Sequence, residues 1–563
     1  MFKTLFNLNY RSNSKVWRNF SKRGLATELK TSIAAESSVM RFDNKSLTGM
    51  YGWDEVCGIY EAKGGEQYMT IGNFSSNDQT DSEKMKMPKG LRGTQDISAY
   101  YYLDEFSVKL ITTDAECNCG VGEEEMYSKM IYSKKVFIKE SMTPEEKVKS
   151  SNNLFVGDDF IFMSGKDADN FQLASVNINT LNFNAPKILF KEKEDEVIET
   201  YSVNKDAIYV STSKFGIEAN LYKVQDNKTT KINLPKKAGR ISLSNKSIHF
   251  NDLWISISGW TSSNERYKYD NEKETFTEAY LTDKIEYPEF ENIVVEEISV
   301  PSHDGASVPL SIIYNKNIKK DGSNPSFFYG YGAYGDGISP FFSPIFLQYV
   351  KEGGILCIPH VRGGGEKGEA WRLAGFKANK PNTWKDLIAC VKYMVENKYT
   401  SKERTAIYSG SAGGIMVGRA MTERPDLFAA VISEAGVLNP IRMETQPGAG
   451  GSNIREFGTV TDSTECMALI EMDAYLHVKD STDYPATYLT VGMNDPRVVP
   501  WESGKFAARL QNTNSLKKPV FLYADFDTGH SGGSGKKVYE EWGNVFAFAL
   551  WQTGHPDYQL KSK

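Results

Sequence analysis

The sequence predicts an all-β domain of short strands followed by an α/β domain with a mostly parallel sheet. Its 563 residues exceed what one hydrophobic core usually serves. Residues 49–285 are short aromatic and β-branched runs broken by polar turns, which is typical of strands. Within residues 286–563, extended apolar runs alternate with helical ones, as in a sheet covered on both faces. Residues 1–48 form a separate basic segment.

Composition places limits on the partners and the compartment. The chain is 40% hydrophobic and 25% charged, with a net charge of −6, so we expect neither nucleic acid nor an acidic membrane surface as a partner. No stretch is long and apolar enough to span a membrane. Six scattered cysteines in so long a chain argue against a disulfide framework, and therefore favour a reducing, cytoplasmic location.

The first residues indicate an alternative location. Met1–Lys30 carries seven lysines and arginines against one acid, Glu28, interleaved with Phe, Leu and Ser. This composition is typical of an organellar transit peptide, so a mitochondrial location is the alternative. A disordered basic tail is the competing interpretation of the same residues.

The all-β region contains a repeat. Three comparable strands (Phe160–Met163, Ile208–Ser211 and Leu253–Ser256) each follow an acidic turn and precede a polar stretch and another strand. They begin roughly 45 to 48 residues apart, a period typical of β-propeller blades. About five such units fit before residue 285, so we expect an incomplete propeller. An irregular β-sandwich is the alternative, and Ile285–Val300 is interpreted as the connection to the next domain.

The α/β region is predicted from alternating patterns. The clearest helix is Thr383–Glu396, in which Thr383 and Asp386 have capping-box spacing, and the last helix is Val538–Trp551. The predicted strands are Val308–Tyr314, Ser326–Tyr329, Gly354–Ile358, Thr405–Tyr408, Ala429–Ile432, Thr487–Val491 and Val520–Tyr523.

One strand end has the form of a nucleophile elbow. The apolar run Ala406–Tyr408 breaks at Ser409-Gly-Ser-Ala-Gly-Gly414 and resumes at helical spacing. A tight turn between strand and helix exposes the Oγ of its central serine, here Ser411, and needs small neighbours. Ser409 stands where the usual G-x-S-x-G pattern has its first glycine. A Gly/Ser turn that merely closes a βα unit is the alternative.

A nucleophilic serine needs a base and an acid, and in α/β-hydrolases the chain order is Ser, Asp or Glu, then His. His530 follows the Val520–Tyr523 strand in a glycine-bounded loop, and Asp495 follows the strand that ends at Gly492. The carboxyl ends of parallel strands meet at one edge of a sheet, so we expect Ser411, Asp495 and His530 to converge there. The sequence therefore predicts acyl transfer.

The oxyanion of such a reaction needs hydrogen-bond donors. The backbone N–H of Ala412 is one, because it follows the nucleophile in the elbow. The loop Tyr329-Gly-Tyr-Gly-Ala-Tyr-Gly335 is the second candidate, since its glycines allow close approach and a tyrosine hydroxyl can donate.

Five motifs follow one another along the second half of the chain: Gly330-Tyr-Gly-Ala-Tyr334, Val361-Arg-Gly-Gly-Gly-Glu366, Ser409-Gly-Ser-Ala-Gly-Gly414, Asn494-Asp-Pro-Arg-Val-Val-Pro500 and Gly529-His530. This ordered set resembles the motifs of the prolyl oligopeptidase family of serine peptidases. The resemblance is close from Ser302 onward and looser over 158–280, where the family has a propeller. It implies that Tyr331 is the oxyanion tyrosine and that Arg497 binds a substrate carbonyl. It also implies that Tyr334 and Val498 line the pocket for the residue before the cleaved bond. For Arg497, a structural ion pair is the alternative.

Two positions depart from the family pattern. Ala412 stands where the family has asparagine, and Ala468 stands where the family stacks proline on a tryptophan. Loss of an aromatic platform removes roughly 0.5–1.5 kcal/mol of stacking, unless Tyr475 or another ring substitutes. The resemblance therefore implies cleavage after proline, whereas the alanine at position 468 argues against a strong preference for proline.

The predicted function is hydrolysis of short peptides by a serine peptidase through an acyl-enzyme. An acyl-aminoacyl hydrolase or carboxylesterase on the same fold is one alternative, and an inactive propeller-based binding protein is another. We expect a monomer without cofactor or metal. The glycine-rich run Val361–Glu366 lacks both the dinucleotide and the phosphate-loop patterns.

Overall fold

The computed structural model describes residues 153–279, 286–446, 450–513, 518–530, 533 and 535–560, and the backbone of three earlier strands. Those strands, β1 (Lys3–Ser12), β2 (Asp54–Glu61) and β3 (Tyr101–Ile111), form an antiparallel sheet in the order β2–β1–β3. They belong to a compact unit of residues 1–141 and 534–536, and residues 142–533 and 537–563 form the other unit. The remainder of the basic segment 1–48 lies outside the described residues.

Three consecutive four-stranded antiparallel sheets occupy the described part of the all-β region, each a simple meander. The repeat found in the sequence corresponds to the two inner strands of each sheet. The strands are β4 (Leu154–Val156), β5 (Asp159–Ser164), β6 (Gln172–Asn177) and β7 (Lys187–Phe190); β8 (Glu196–Val203), β9 (Ile208–Lys214), β10 (Glu218–Gln225) and β11 (Lys228–Ile232); β12 (Arg240–Ser244), β13 (Leu253–Ser258), β14 (Glu265–Asp270) and β15 (Thr275–Glu278). The further predicted units fall on residues 49–152, which lie largely outside the described residues.

These sheets stack on one another as propeller blades do. On β9, Val210 packs into a hydrophobic cluster shared with the first sheet, whereas its neighbour Tyr209 packs into a cluster shared with the third. Successive strand residues point to opposite faces, so the middle sheet is covered on both sides. A two-sheet sandwich would leave one of these faces without a partner sheet, so the blade interpretation describes the packing better.

The second domain is built on one eight-stranded sheet. Its strand order is β16–β17–β19–β18–β20–β21–β22–β23, antiparallel across β16, β17 and β19 and parallel from β19 to β23. The strands are β16 (Ile293–Pro301), β17 (Ser307–Asn315), β18 (Ser326–Tyr329), β19 (Ile355–Pro359), β20 (Thr405–Gly410), β21 (Ala430–Glu434), β22 (Ala486–Gly492) and β23 (Val520–Asp525). The interpretation of Ile285–Val300 as a connection was wrong for β16, which is an edge strand of this sheet.

Helices cover both faces of the sheet. The helices are α1 (Pro344–Lys351), α2 (Gly368–Leu373), α3 (Pro381–Glu396), α4 (Gly414–Glu423), α5 (Gly450–Phe457), α6 (Ser463–Met472), α7 (Trp501–Gln511) and α8 (Lys536–Gln552). On β20, Ile407 packs with α3, α4 and α7, whereas Ala406 and Tyr408 pack with α1 and α8. Among the described helices, none has the length and apolarity needed to cross a bilayer.

The predicted capping box of α3 was wrong. The helix begins at Pro381, so Thr383 and Asp386 lie inside it. Thr383 Oγ1 donates to the carbonyl oxygen of Arg362 at 2.7 Å, and Asp386 accepts from the backbone and guanidinium of Arg362 at 2.7–3.0 Å. Both side chains are buried, so they bond to a neighbouring loop instead of to the open end of their own helix.

Candidate active site

Ser411 lies at the carboxyl end of β20, where the chain turns sharply into α4. Its φ is +53°, a left-handed conformation that is strained for a residue other than glycine. The turn is tight because a Cβ at Gly413 would collide with Ser409 Oγ. Strand, turn and helix thus hold the serine hydroxyl out from the sheet edge.

The side chains of Ser411, His530 and Asp495 form one hydrogen-bonded chain. His530 Nε2 lies 2.9 Å from Ser411 Oγ, and His530 Nδ1 lies 2.7 Å from Asp495 Oδ2. The carboxylate is buried and the imidazole is largely covered. The structure therefore brings together three residues that are up to 119 positions apart in the sequence.

The loops after β22 and β23 are bonded to each other, which aligns Asp495 with His530. The N–H of Met493 donates to the carbonyl of Asp525 at 2.7 Å, and the N–H of Asn494 donates to that of Thr528 at 3.0 Å. These bonds continue the pairing of the two parallel strands past their ends. Asp495 and His530 therefore leave the sheet side by side.

Asp495 is oriented by its own loop. Its Oδ1 accepts the backbone N–H groups of Arg497 and Val498 at 2.8 and 3.1 Å, which leaves Oδ2 for the histidine. A carboxylate held this way fixes the histidine tautomer with the proton on Nδ1, so that Nε2 faces the serine as an acceptor.

Tyr331 lies in the loop after β18, close to Ser411 and to the turn that holds it. Burial raises the pKa of Tyr331 to about 12, so the hydroxyl keeps its proton at neutral pH. Ala412 is buried in the first turn of the helix, where a backbone N–H has no acceptor within the helix. The Tyr331 hydroxyl and the Ala412 N–H are therefore two hydrogen-bond donors close to Ser411.

Three side chains form hydrogen bonds with the backbone of the Tyr331 loop. Ser409 Oγ donates to the carbonyl of Gly330 at 2.7 Å. Lys380 Nζ donates to the carbonyl of Gly332 at 2.8 Å. Glu456 Oε1, the third contact, accepts the backbone N–H of Tyr334 at 2.9 Å. Sequence reasoning missed Lys380 and Glu456, because no local pattern distinguishes them from surface charges.

Of the three predicted substrate-binding residues, two are exposed and one is buried. Arg497 is exposed, and none of the described residues forms an ion pair with it. This argues against the alternative that Arg497 is held in a structural ion pair. Tyr334 is 38% exposed, and its hydroxyl donates to Asn453 Oδ1 at 2.8 Å. Val498 is buried in the hydrophobic cluster that also contains Phe457, so its side chain contributes mainly to packing.

The position of the absent tryptophan is also defined. Ala468 lies on α6, half-buried against the cluster that contains Val498 and Phe457. Lys505 Nζ lies over the Tyr475 ring, 4.4 Å from its centroid. One face of Tyr475 is therefore already engaged by a cation, which argues against Tyr475 as the replacement platform.

The described residues contain no group of three or more His, Cys, Asp or Glu side chains arranged to hold a metal ion. The glycine-rich loop after β19 is held by protein groups: the Arg362 guanidinium pairs with Asp386 and Asp304.

Two family models match separate parts of the chain. Residues 341–556 match the prolyl oligopeptidase family, and residues 109–279 match the N-terminal β-propeller domain of prolyl oligopeptidase. The first match covers most of the parallel-sheet domain, including all three residues of the hydrogen-bonded chain. The second contains the three antiparallel sheets.

Individual relatives agree with these matches. The prolyl endopeptidase of Elizabethkingia meningoseptica is 32% identical over 403 residues, which cover 71% of this chain and 56% of that protein. The prolyl endopeptidase of Elizabethkingia miricola is 37% identical over 280 residues, which cover 49% and 39%. A solved structure from a mechanistic study of two prolyl endopeptidases superposes with a TM-score of 0.68 at 26% identity, covering 72% of this chain and 60% of the other.

The chain spans at most three fifths of the length of these proteins. Within that span, one family model matches the region of the three antiparallel sheets, and the other matches most of the domain built on the eight-stranded sheet. Because its two domains match the two domain models of a single family, the chain belongs to the prolyl oligopeptidase family.

Proposed function

We propose that this chain is a serine peptidase that hydrolyses short peptides through an acyl-enzyme. The observation that supports this most strongly is the hydrogen-bonded chain from Asp495 through His530 to Ser411, at 2.7 and 2.9 Å. A serine activated in this way attacks carbonyl carbon, which defines the reaction class as acyl transfer.

Acylation assigns a role to each side chain. His530 Nε2 takes the proton of Ser411 as Oγ bonds to the scissile carbonyl carbon, and Asp495 stabilises the imidazolium. The carbonyl oxygen becomes an anion that accepts from the Ala412 N–H and the Tyr331 hydroxyl. When the intermediate collapses, the C–N bond breaks and the imidazolium gives its proton to the leaving amine.

Deacylation repeats these steps with water. His530 takes a proton from water as the water oxygen attacks the ester carbonyl of acyl-Ser411. The same two donors hold the second oxyanion. The C–O bond to Ser411 then breaks, the proton returns to Oγ, and the carboxylic acid product leaves.

Arg497 favours a peptide over a simple ester as substrate. Its guanidinium is exposed, and its backbone N–H is bonded to the catalytic carboxylate, so the residue is anchored beside the site. A guanidinium without a partner among the described residues can donate to the backbone carbonyls of a peptide, which a simple ester lacks. Esterase activity on the same triad is the second candidate.

We expect this chain to cleave peptide bonds that follow proline. The relatives at 32% and 37% identity are both named prolyl endopeptidases. Ala468 stands where the resemblance implies a stacking ring, so we expect a weaker proline preference than a tryptophan would give, by roughly 0.5–1.5 kcal/mol. Profiling cleavage of a peptide library by residue and by length would measure both the preference and the size limit.

The nucleophile is tested by covalent labelling with a serine-directed phosphonate. We expect the wild type to be labelled and the Ser411→Ala variant to remain unlabelled. Ser463→Ala, which removes an exposed hydroxyl at the start of α6, is the matched control and should label normally. An unlabelled wild type would contradict the proposal and favour the inactive binding protein.

Peptidase and esterase are separated by comparing a proline-containing peptide amide with a simple ester. We expect Arg497→Ala to lower kcat/KM for the peptide while leaving ester turnover nearly unchanged. Arg509→Ala is the control, because Arg509 lies on α7 and pairs with Asp480 at 2.6 Å. If only the ester turns over and Arg497→Ala changes nothing, the peptidase proposal fails.

A further inference from the structure

Residues outside the triad and the two proposed oxyanion donors also contact the Tyr331 loop. The loop contains three left-handed residues, Gly332 at φ +73°, Tyr334 at φ +60° and Gly335 at φ +72°. In a residue other than glycine, here Tyr334, such a conformation persists only where surrounding contacts enforce it. At Gly332 and Tyr334 the contacts come from two charged side chains, Lys380 and Glu456.

Both charged groups are buried. Lys380, at the N-terminal end of α3, is 1% exposed, and Glu456, on α5, is 4% exposed. Lys380 Nζ lies 3.6 Å from Glu456 Oε1, and Arg372 lies 3.7 Å from Oε2. A buried ion pair is seldom more stabilising than well-packed apolar residues, so stability alone gives little reason for this arrangement.

We propose that Lys380 and Glu456 are positioning residues that set the place of the Tyr331 hydroxyl in the oxyanion hole. This inference rests on the proposed function. Lys380 holds the carbonyl one residue after Tyr331, and Glu456 holds the N–H three residues after it. Because Lys380 directly precedes α3 and Glu456 lies on α5, the loop is fixed between the ends of two helices.

The catalytic consequence follows from geometry. An oxyanion donor acts only if it lies within hydrogen-bond distance of the developing charge, and a displacement of about 1 Å can lower the rate about 100-fold. A substrate binds before the oxyanion forms, so loosening this loop lowers kcat more than it raises KM. The pair therefore acts through Tyr331 without touching the substrate.

The pair also makes the site sensitive to alkaline pH. Burial lowers the pKa of Lys380 to about 8, an effect that Glu456 opposes and Arg372 reinforces. These are the charged groups that face Nζ, and Arg372 is itself paired with Glu369. Above that pH Lys380 is neutral and its ion pair with Glu456 is lost. We expect kcat to fall on the alkaline side as the loop loosens.

The test is kcat and KM from pH 6 to 10 for the wild type, Lys380→Met and Glu456→Gln. Lys380→Met should lower kcat about 10- to 100-fold at pH 7 with little change in KM, and should abolish the alkaline fall. Glu456→Gln keeps an oxygen that can accept from Tyr334 but removes the negative charge, so the alkaline fall should move to lower pH.

The double variant Lys380→Met/Glu456→Gln guards against misfolding, because it leaves neither charge of the pair buried alone. It should fold as the wild type does and still show the lowered kcat. Lys320→Met is the control, since Lys320 bonds Tyr399 and Glu296 elsewhere in the domain. Wild-type kcat in the folded double variant, or a wild-type profile without an alkaline fall, would overturn the inference. Loss of phosphonate labelling in the wild type would instead contradict the proposed function.

Discussion

Gly413 lies in the turn after β20, where the turn touches the strand that precedes it. A Cβ at this position would collide with Ser409 Oγ and lie 3.1 Å from the Tyr331 ring. Its φ of −66° is ordinary, so the requirement for glycine here is close approach and not backbone conformation. The turn, the preceding strand and the Tyr331 loop therefore meet at Gly413.

Gly413→Ala should lower kcat/KM by about 100-fold or more, because the methyl group displaces either Ser409 or Tyr331. Replacing Ser409 with glycine removes the nearest colliding atom. The double variant Ser409→Gly/Gly413→Ala should therefore recover part of the loss, as measured by steady-state kinetics with the same peptide. Full activity in Gly413→Ala, or no recovery in the double variant, would contradict this account of the turn.

The sequence pattern predicts small residues around Ser411 but not what Ser409 does. Its hydroxyl bonds to Gly330, which lies 79 residues earlier in the chain. The two residues meet because β20 pairs directly with β18 in the sheet. Strand neighbours depend on the topology of the whole sheet, and a single-sequence pattern does not contain that information.

At the scale of elements, Arg362 joins the loop after β19 to α3. Its guanidinium bonds to Asp386 at 2.7–2.9 Å, and Ser302 Oγ bonds to the same carboxylate at 2.5 Å. Asp386 is fully buried and Arg362 nearly so. Removing Asp386 leaves the buried guanidinium with only the partly exposed Asp304 as an ionic partner. Losing one partner of a buried ion pair is more destabilising than the pair itself is stabilising.

Asp386→Ala should therefore lower the free energy of unfolding by about 3–5 kcal/mol, measured by denaturant titration. Asp426→Ala is the matched control, because Asp426 pairs with Arg424 at the surface at 2.7 Å. An exposed pair of this kind contributes at most about 1 kcal/mol. Equal losses in the two variants would show that burial does not control the stability of these pairs.

The same residues explain why the prediction for the start of α3 was wrong. Thr383 and Asp386 have capping-box spacing, which in an isolated sequence indicates a helix start. In the folded chain Pro381 begins the helix, and both side chains bond to Arg362. Hydrophobic periodicity still located the helix, because burial of its apolar face depends on spacing alone.

At the scale of the molecule, the blades and the parallel-sheet domain meet within one compact unit. The N–H of Glu369 donates to the carbonyl of Asp169 at 2.7 Å. Gly368 has a φ of +77°, and a Cβ there would collide with the same carbonyl. Farther along, Trp260 packs edge-on against Phe341 at 5.3 Å.

Gly368→Ala should destabilise the larger unit for two reasons. The left-handed backbone disfavours any side chain by about 1–2 kcal/mol. The new methyl group would also collide with the carbonyl of Asp169 in the neighbouring blade. Gly157→Ala is the matched control, because Gly157 has a φ of +58° with open space around it. Thermal unfolding should therefore show a larger loss for Gly368→Ala. Equal losses would show that the contact with the blade contributes nothing.

Features that depend on local spacing or chain order were accessible from the amino-acid sequence. These include the repeat of the blades, the alternation of strands and helices, and the order of Ser411, Asp495 and His530. The partners of Ser409, Lys380 and Glu456 emerged only from the folded chain. A polar side chain bonds to whatever group burial and strand order bring beside it, and both are properties of the assembled sheet and its helices.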